Sequence, residues 1–130
     1  MTHVSTREPL RFVLHEHLAK HHHFDFRLER DGLLKSWAVP KGLPEKAGDR
    51  RLAIAVEDHP QDYISFEGTI PEGEYGAGEV KIADTGTYTT ITWSDAKIEV
   101  VLAGSRLSGT CVLVPFVRAG KGQWLFLKKG

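Results

Sequence analysis

The sequence predicts an all-β, mainly antiparallel domain closed into a barrel with short flanking helices or turns. Three observations carry this. Short runs rich in β-branched and aromatic residues recur along the 130 residues, separated by Gly, Asp and Pro turns. No helical apolar period persists beyond a turn or two. So many short strands in one small chain would leave many open edges, which closure removes.

Residues 1–10 are polar and without periodicity and read as an N-terminal arm, with residues 11–130 as a single barrel domain. An apolar run at residues 11–14 begins the first strand. The stretch His15-Glu-His-Leu-Ala-Lys-His-His-His reads as a connection into a second strand ending near Glu29. Arg30-Asp-Gly marks a tight hairpin, because Asp-Gly tolerates the positive φ of a two-residue turn. Residues 33–39 return, and Pro40-Lys-Gly-Leu-Pro opens a polar loop. Residues 51–57 form a strand ending at Asp58-His59-Pro60, and residues 63–67 are short and aromatic. Pro71-Glu-Gly-Glu-Tyr-Gly-Ala-Gly is a glycine-rich loop that leads into a strand at 79–82. Residues 86–93, 97–102, 109–116 and 124–128 complete the strands.

Composition bounds the function. Lys plus Arg and Asp plus Glu are equal at 17 each, so a polyanion would have to be held by a local cluster rather than by a global field. The single cysteine, Cys111, excludes a disulfide within the chain and sits in an apolar run, as a buried small hydrophobe would. No apolar stretch approaches the ~18 residues of a membrane span, and no signal-peptide pattern opens the chain. The expectation is an intracellular protein without a membrane partner.

The stretch that organises the chemistry is His23-Phe24-Asp25-Phe26-Arg27. Alternation in a strand places His23, Asp25 and Arg27 on one face and Phe24, Phe26 and Leu28 on the other. The aromatic face belongs in a core. The polar face joins imidazole and carboxylate, ligands for Mn or Zn, to a guanidinium shaped to hold phosphate by two hydrogen bonds. A solvated ion-pair face is the competing reading. His17 lies six residues before His23 and can fold back to complete a two-imidazole, one-carboxylate set. His15, His21 and His22 compete for the same role. Arg27, Lys41, Arg50, Arg51 and His59 make a candidate anion cluster on strand ends and loops, with His59 at a rim position. The glycine-rich loop matches no phosphate-loop pattern and reads as a turn that lets strands approach closely. Tyr63, Tyr75 and Trp37 could stack on single strands but read first as core residues.

Several long strings resemble one family. His17-x5-His23-Phe-Asp-Phe-Arg-Leu-Glu, Asp31-Gly-x-Leu-Lys-Ser-Trp-Ala-Val-Pro-Lys-Gly42, Val56-Glu-Asp-His-Pro-x-Asp-Tyr63 and Phe66-Glu-Gly-x-Ile-Pro-x-Gly-x-Tyr-Gly-Ala-Gly78 follow in the order found in the 3′-phosphoesterase domain of bacterial and archaeal DNA ligase D. The resemblance implies a stand-alone version of that domain. It implies a metal-dependent enzyme, most simply with Mn and with Zn or Co as alternatives, that acts on DNA or RNA/DNA primer-template 3′ ends. Terminal ribonucleosides and then 3′-phosphates would be removed to leave 3′-hydroxyls. A separate ligase or polymerase of end joining would be its partner. By the same resemblance His17, His23 and Asp25 are the metal ligands. Arg27 and His59 contact the scissile phosphate, and Tyr63, Lys41 and Arg51 support them. Glu8 of the arm contributes to activity. A non-catalytic module that only binds DNA ends or a repair partner is the alternative. The chain departs from the family at His15-Glu16-His17, where Gln-Lys-His is usual.

Overall fold

The computed structural model describes residues 9–74 and 76–130. The strands are β1 (Leu10–Leu18), β2 (His23–Arg30), β3 (Leu33–Val39), β4 (Arg50–Pro60), β5 (Gly68–Ile70), β6 (Gly78–Trp93), β7 (Ile98–Gly104), β8 (Ser108–Pro115) and β9 (Gln123–Lys128). Single 3₁₀ turns occupy Gln61–Ser65 and Val117–Ala119. Eight strands run in the order β1-β2-β3-β4-β9-β8-β7-β6, and β6 pairs back onto β1 to close an antiparallel barrel. β5 adds a short ninth strand along the start of β6.

Two boundaries differ from the sequence reading. Only residues 19–22 of the histidine-rich stretch are a connection, because β1 continues through Leu18, paired to β2 on one side and β6 on the other. Those two ladders bond the β1 backbone on both sides, so polar side chains there do not end the strand. The runs at 79–82 and 86–93 are likewise one long strand, β6, whose register on β1 shifts between Leu14 and His15. The Asp-Gly hairpin stands as read: Asp31 (φ 51°) and Gly32 (φ 81°) are both left-handed, as a type I′ turn requires.

The interior is filled from all round the wall. Phe12, Phe26, Leu28, Tyr88, Leu102 and Phe126 are almost wholly buried, with Phe26 stacked on Phe126 at 4.6 Å. Cys111 is among them, its thiol pushed up to about 11 by burial. What positions the site, however, lies outside this core. Residues opposite one another in an antiparallel ladder share a face. Val13, His15 and His17 of β1 pair with Arg27, Asp25 and His23 of β2. Ala38 and Ser36 of β3 pair in turn with Asp25 and Arg27. This patch is the outer wall of the barrel.

The chain leaves the barrel after β4 and lies back over that wall. Ile64 of the 3₁₀ turn packs on Val13 and Leu34, with Tyr63 and Ile82 alongside, in a small second apolar cluster. Glu29 pins the turn: its carboxylate accepts from Gln61 Nε2 (3.0 Å) and from Arg11 at backbone N (3.0 Å) and Nε (3.2 Å). The hydrogen bonds from Arg11, outweighing burial, hold this carboxyl below its usual range. A depressed folded-state value means the stabilisation is present above the unfolded value and lost as pH falls through the folded one. We therefore expect Glu29→Gln to cost about 1–2 kcal/mol at neutral pH, measured by urea unfolding. The deficit should shrink as pH falls below about 4.

Candidate metal and phosphate site

The outer wall and the covering segment enclose a cavity of about 240 Å³ lined by His17, His23, Asp25, Arg27, His59 and Tyr63, with Ala38, Val56, Ile70, Gly76 and Val80 as its less polar walls. His17 and His23 are directly opposed on β1 and β2, their ring centroids 4.8 Å apart. One donor atom from each of His17, His23 and Asp25 can be chosen so that all lie within 4.8 Å of one another. The Asp25 oxygens are 3.7 Å from His17 Nδ1 and 3.3 Å from His23 Nε2.

The other nitrogen of each ring is already engaged. His17 Nε2–H donates to the carbonyls of Gly76 (2.9 Å) and Ala77 (3.1 Å), and His23 Nδ1–H donates to the carbonyl of His21 (2.9 Å). These bonds select tautomers whose lone pairs turn toward Asp25, the arrangement in which imidazoles ligate metals. The donor set suits a divalent cation with positions left for other ligands. Burial pushes the Asp25 carboxyl up, but the hydrogen bond to His23 and the charge of Arg27 outweigh it, so Asp25 remains a carboxylate. When His23 is protonated its Nε2–H donates to Asp25, and this bond raises His23.

The glycine-rich loop thus acts through its carbonyls, on His17, and not through N–H groups on an anion. Gly78 at its end passes so close to β1 that a Cβ there would lie 2.7 Å from the Leu18 carbonyl oxygen. The reading of this loop as a close strand crossing is correct.

Arg27 is only 4% exposed, in mid-strand. Its Nε–H donates to His15 Nδ1 (3.0 Å) and its Nη1 to Ser36 Oγ (2.9 Å), while Nη2 lies 3.4 Å from Asp25. The Tyr63 ring covers the guanidinium at 5.1 Å and is itself stacked on Phe66. His59 Nδ1 lies 3.0 Å from the Glu57 carbonyl and 3.2 Å from Arg27 Nη1. It donates to the carbonyl in one tautomer and accepts from Arg27 in the other. Burial, then the Arg27 charge, lowers His59 and keeps it neutral near pH 7. Burial also raises the Tyr63 phenol, which stays protonated.

The structure therefore brings together seven of the residues singled out in the sequence: His15, His17, His23, Asp25, Arg27, His59 and Tyr63. It leaves others apart. The site sits on the wall rather than at a barrel rim. Lys41, Arg50 and Arg51 do not line the cavity, and Arg51 precedes His59 on β4 by eight residues, roughly 26 Å of extended chain. The five basic residues are therefore not one cluster. His15 is no competing ligand, since both its nitrogens are taken, and His22 pairs outside the cavity with Glu16 (2.8 Å). Trp37 is core. Glu8 and Tyr75 lie outside the described residues. Ser36 escaped the sequence reading, although a hydroxyl in a largely apolar strand was a signal. The carbonyls of Phe66, Gly76 and Ala77 left none.

Fold and site together define a closed antiparallel barrel whose outer wall sets two imidazoles and a carboxylate, able to hold a metal, against a buried arginine. A family model for the DNA Ligase D 3′-phosphoesterase domain matches residues 15–115. The chain belongs to that family. It is 51% identical over 118 residues, 88% of its length, to the multifunctional non-homologous end joining protein LigD of Mycobacterium bovis. It is 45% identical over 125 residues to that of Pseudomonas aeruginosa, covering 92% of the chain. The matched part is 15% of each relative.

Asp25 touches both imidazoles and the arginine, so it is the residue whose loss should tell most. Calorimetric titration with MnCl₂ should show one site, weakened about 10- to 100-fold or more in Asp25→Asn and in His17→Ala. His22→Ala should bind like the wild type.

Proposed function

We propose that this chain is a metal-dependent phosphoesterase that processes DNA 3′ ends for end-joining repair. Its substrates are strands ending in a ribonucleoside, cleaved as a phosphodiester, or in a 3′-phosphate, removed as a monoester. The observation that carries this is the convergence of His17, His23 and Asp25 with Arg27 and His59 around one cavity. Family membership and the end-joining names of its relatives support the choice of substrate.

In this reading His17, His23 and Asp25 hold a divalent cation, most simply Mn. A cation held there would supply Lewis acidity toward a phosphate oxygen and its attacking water. The chain's own residues do the rest. Arg27, gripped by Ser36 and His15 and covered by Tyr63, presents a fixed positive charge to the phosphoryl oxygens. A preorganised charge of this kind costs no reorganisation as negative charge develops. His59, neutral and accepting from Arg27 through Nδ1, offers its Nε2–H to an oxygen of the same phosphate. Tyr63 supplies a protonated phenol at the cavity edge. The segment over the wall limits water around these groups, which strengthens each of them. Lys41 and Arg51, away from the cavity, would touch phosphates further along the strand. Glu8 would contribute from the arm.

A labelled primer-template ending in one ribonucleotide, and its 3′-phosphate counterpart, test the proposal in Mn, in Mg and in chelator. Shortening and dephosphorylation should require the metal and fall by at least about 10²-fold in His23→Ala and Arg27→Ala. Folded, metal-loaded wild type that shifts the DNA on a gel but leaves both ends intact would instead identify an end-binding module. Lys41→Ala and Arg51→Ala should each weaken binding and lower the slope of log K against log salt by about 0.7–0.9.

A further inference from the structure

His15 is the most completely buried polar side chain on the outer wall, at 0% exposure, and the phosphoesterase reading does not by itself give it a task. Its ring lies between two parts of the molecule that the barrel alone does not connect. On one side Nε2–H donates to the carbonyl of Phe66, in the segment that covers the wall (3.1 Å). On the other, Nδ1 accepts from Arg27 Nε–H (3.0 Å). Tyr63, which covers Arg27, meets the His15 ring edge-on at 5.3 Å. The two bonds require one neutral tautomer, protonated at Nε2.

A guanidinium carries five N–H donors in a plane, so its orientation is fixed only when its donors are held at separated points. Ser36 accepts from Nη1, at one end of the fork. The bond to Nε supplies the second point. It turns the two terminal nitrogens toward Asp25 and His59, where a phosphate would be met. We infer that His15 is a positioning residue, which fixes the rotation of the Arg27 guanidinium and ties it to the Phe66 carbonyl of the covering segment. It touches neither substrate nor metal. Any side chain that offers one donor and one acceptor at this spacing would serve. An apolar one of similar size would not, because Arg27 Nε–H and the Phe66 carbonyl would both be stranded in a dry site.

The kinetic part of this inference rests on the function proposed above, whereas its spectroscopic part does not. The variants are His15→Leu, which keeps bulk and removes both bonds, and His15→Gln, whose amide can remake them. In ¹⁵N-edited spectra of the wild type, Arg27 Nε–H should appear as a slowly exchanging signal, assigned by its loss in Arg27→Lys. His15 should show a bare Nδ1 and a protonated Nε2. The Arg27 signal should lose protection in His15→Leu and regain it in His15→Gln. On the 3′-phosphorylated strand with Mn, His15→Leu should lower kcat about 10²-fold, the scale of a misplaced charge, with KM and Mn affinity within about threefold of wild type. His15→Gln should recover kcat to within about tenfold.

Several results would overturn the inference. One is an Arg27 signal indifferent to His15→Leu. Another is Mn affinity lost together with kcat, which would make His15 part of the metal set. A third is a Gln variant as impaired as Leu, which would reduce His15 to bulk. If wild type is inert on the strand, the phosphoesterase reading fails and the spectra alone decide the positioning role. Should His15→Leu not melt cooperatively, the wild-type tautomer and the Gln variant carry the decision, and a proton found on Nδ1 overturns it.

Discussion

The register between β1 and β2 is the constraint on which everything else depends. Pairing His17 with His23, His15 with Asp25 and Val13 with Arg27 aligns two alternating strands so that His15, His17, His23, Asp25 and Arg27 fall on one wall. The intervening Phe12, Leu14, Phe24 and Phe26 fall into the barrel. A slip of one residue would invert both faces at once, carrying charges into the core and rings outward. The aromatic core and the polar site therefore hold each other in place, since neither pattern is satisfied in any neighbouring register. β3 extends the same logic by adding Ser36 opposite Arg27.

Such a wall is expensive if left to itself. Asp25 and Arg27 are 7% and 4% exposed, and an isolated buried ion would cost several kcal/mol. The cost is offset by arrangement. Asp25 lies within reach of His17, His23 and Arg27, and Arg27 has His15, Ser36 and the ring of Tyr63 about it. The covering segment both causes the desolvation and relieves it, through the carbonyls of Phe66, Gly76 and Ala77. Its own attachment is modest. One apolar residue, Ile64, is well buried under it, and Glu29 anchors its start. A buried, mutually satisfied polar cluster is thus shielded by an element tied to the wall at Gln61, Ile64 and Phe66 and paired along β5.

The barrel was legible because its signals are local. Alternation, β-branched runs and an Asp-Gly turn are each readable within a few residues, and closure followed from the number of edges to be removed. His23, Asp25 and Arg27 were legible for the same reason, being alternate residues of one strand. What lay beyond reach was whatever depends on partners distant in sequence. The histidine stretch looked like a connection because polar composition hides a strand whose side chains are satisfied by residues 66, 76 and 77. Arg51 and His59 looked like neighbours in function because both are basic residue types at one strand, and only extended-chain length separates them. Choosing among His15, His17, His21 and His22 was not possible from residue type, since all four are the same residue.

What distinguishes those histidines is how many ring nitrogens the fold consumes. His17 and His23 each donate one N–H to a backbone carbonyl, which fixes the ring and leaves one lone pair turned toward Asp25. His15 sits two residues from His17 on the same face, yet it gives one nitrogen to a carbonyl and the other to an arginine. No lone pair is left for a metal, and burial with the adjacent charge of Arg27 pushes the ring down to about 4, which keeps the accepting nitrogen bare. His22, more exposed, is paired with a carboxylate on the surface. One chemical group thus takes three parts within eight residues, and each is decided by which carbonyl or charge the folded backbone brings opposite it. The bulge between Leu14 and His15 falls at this division, between the strand segment that packs the barrel and the one that furnishes the site.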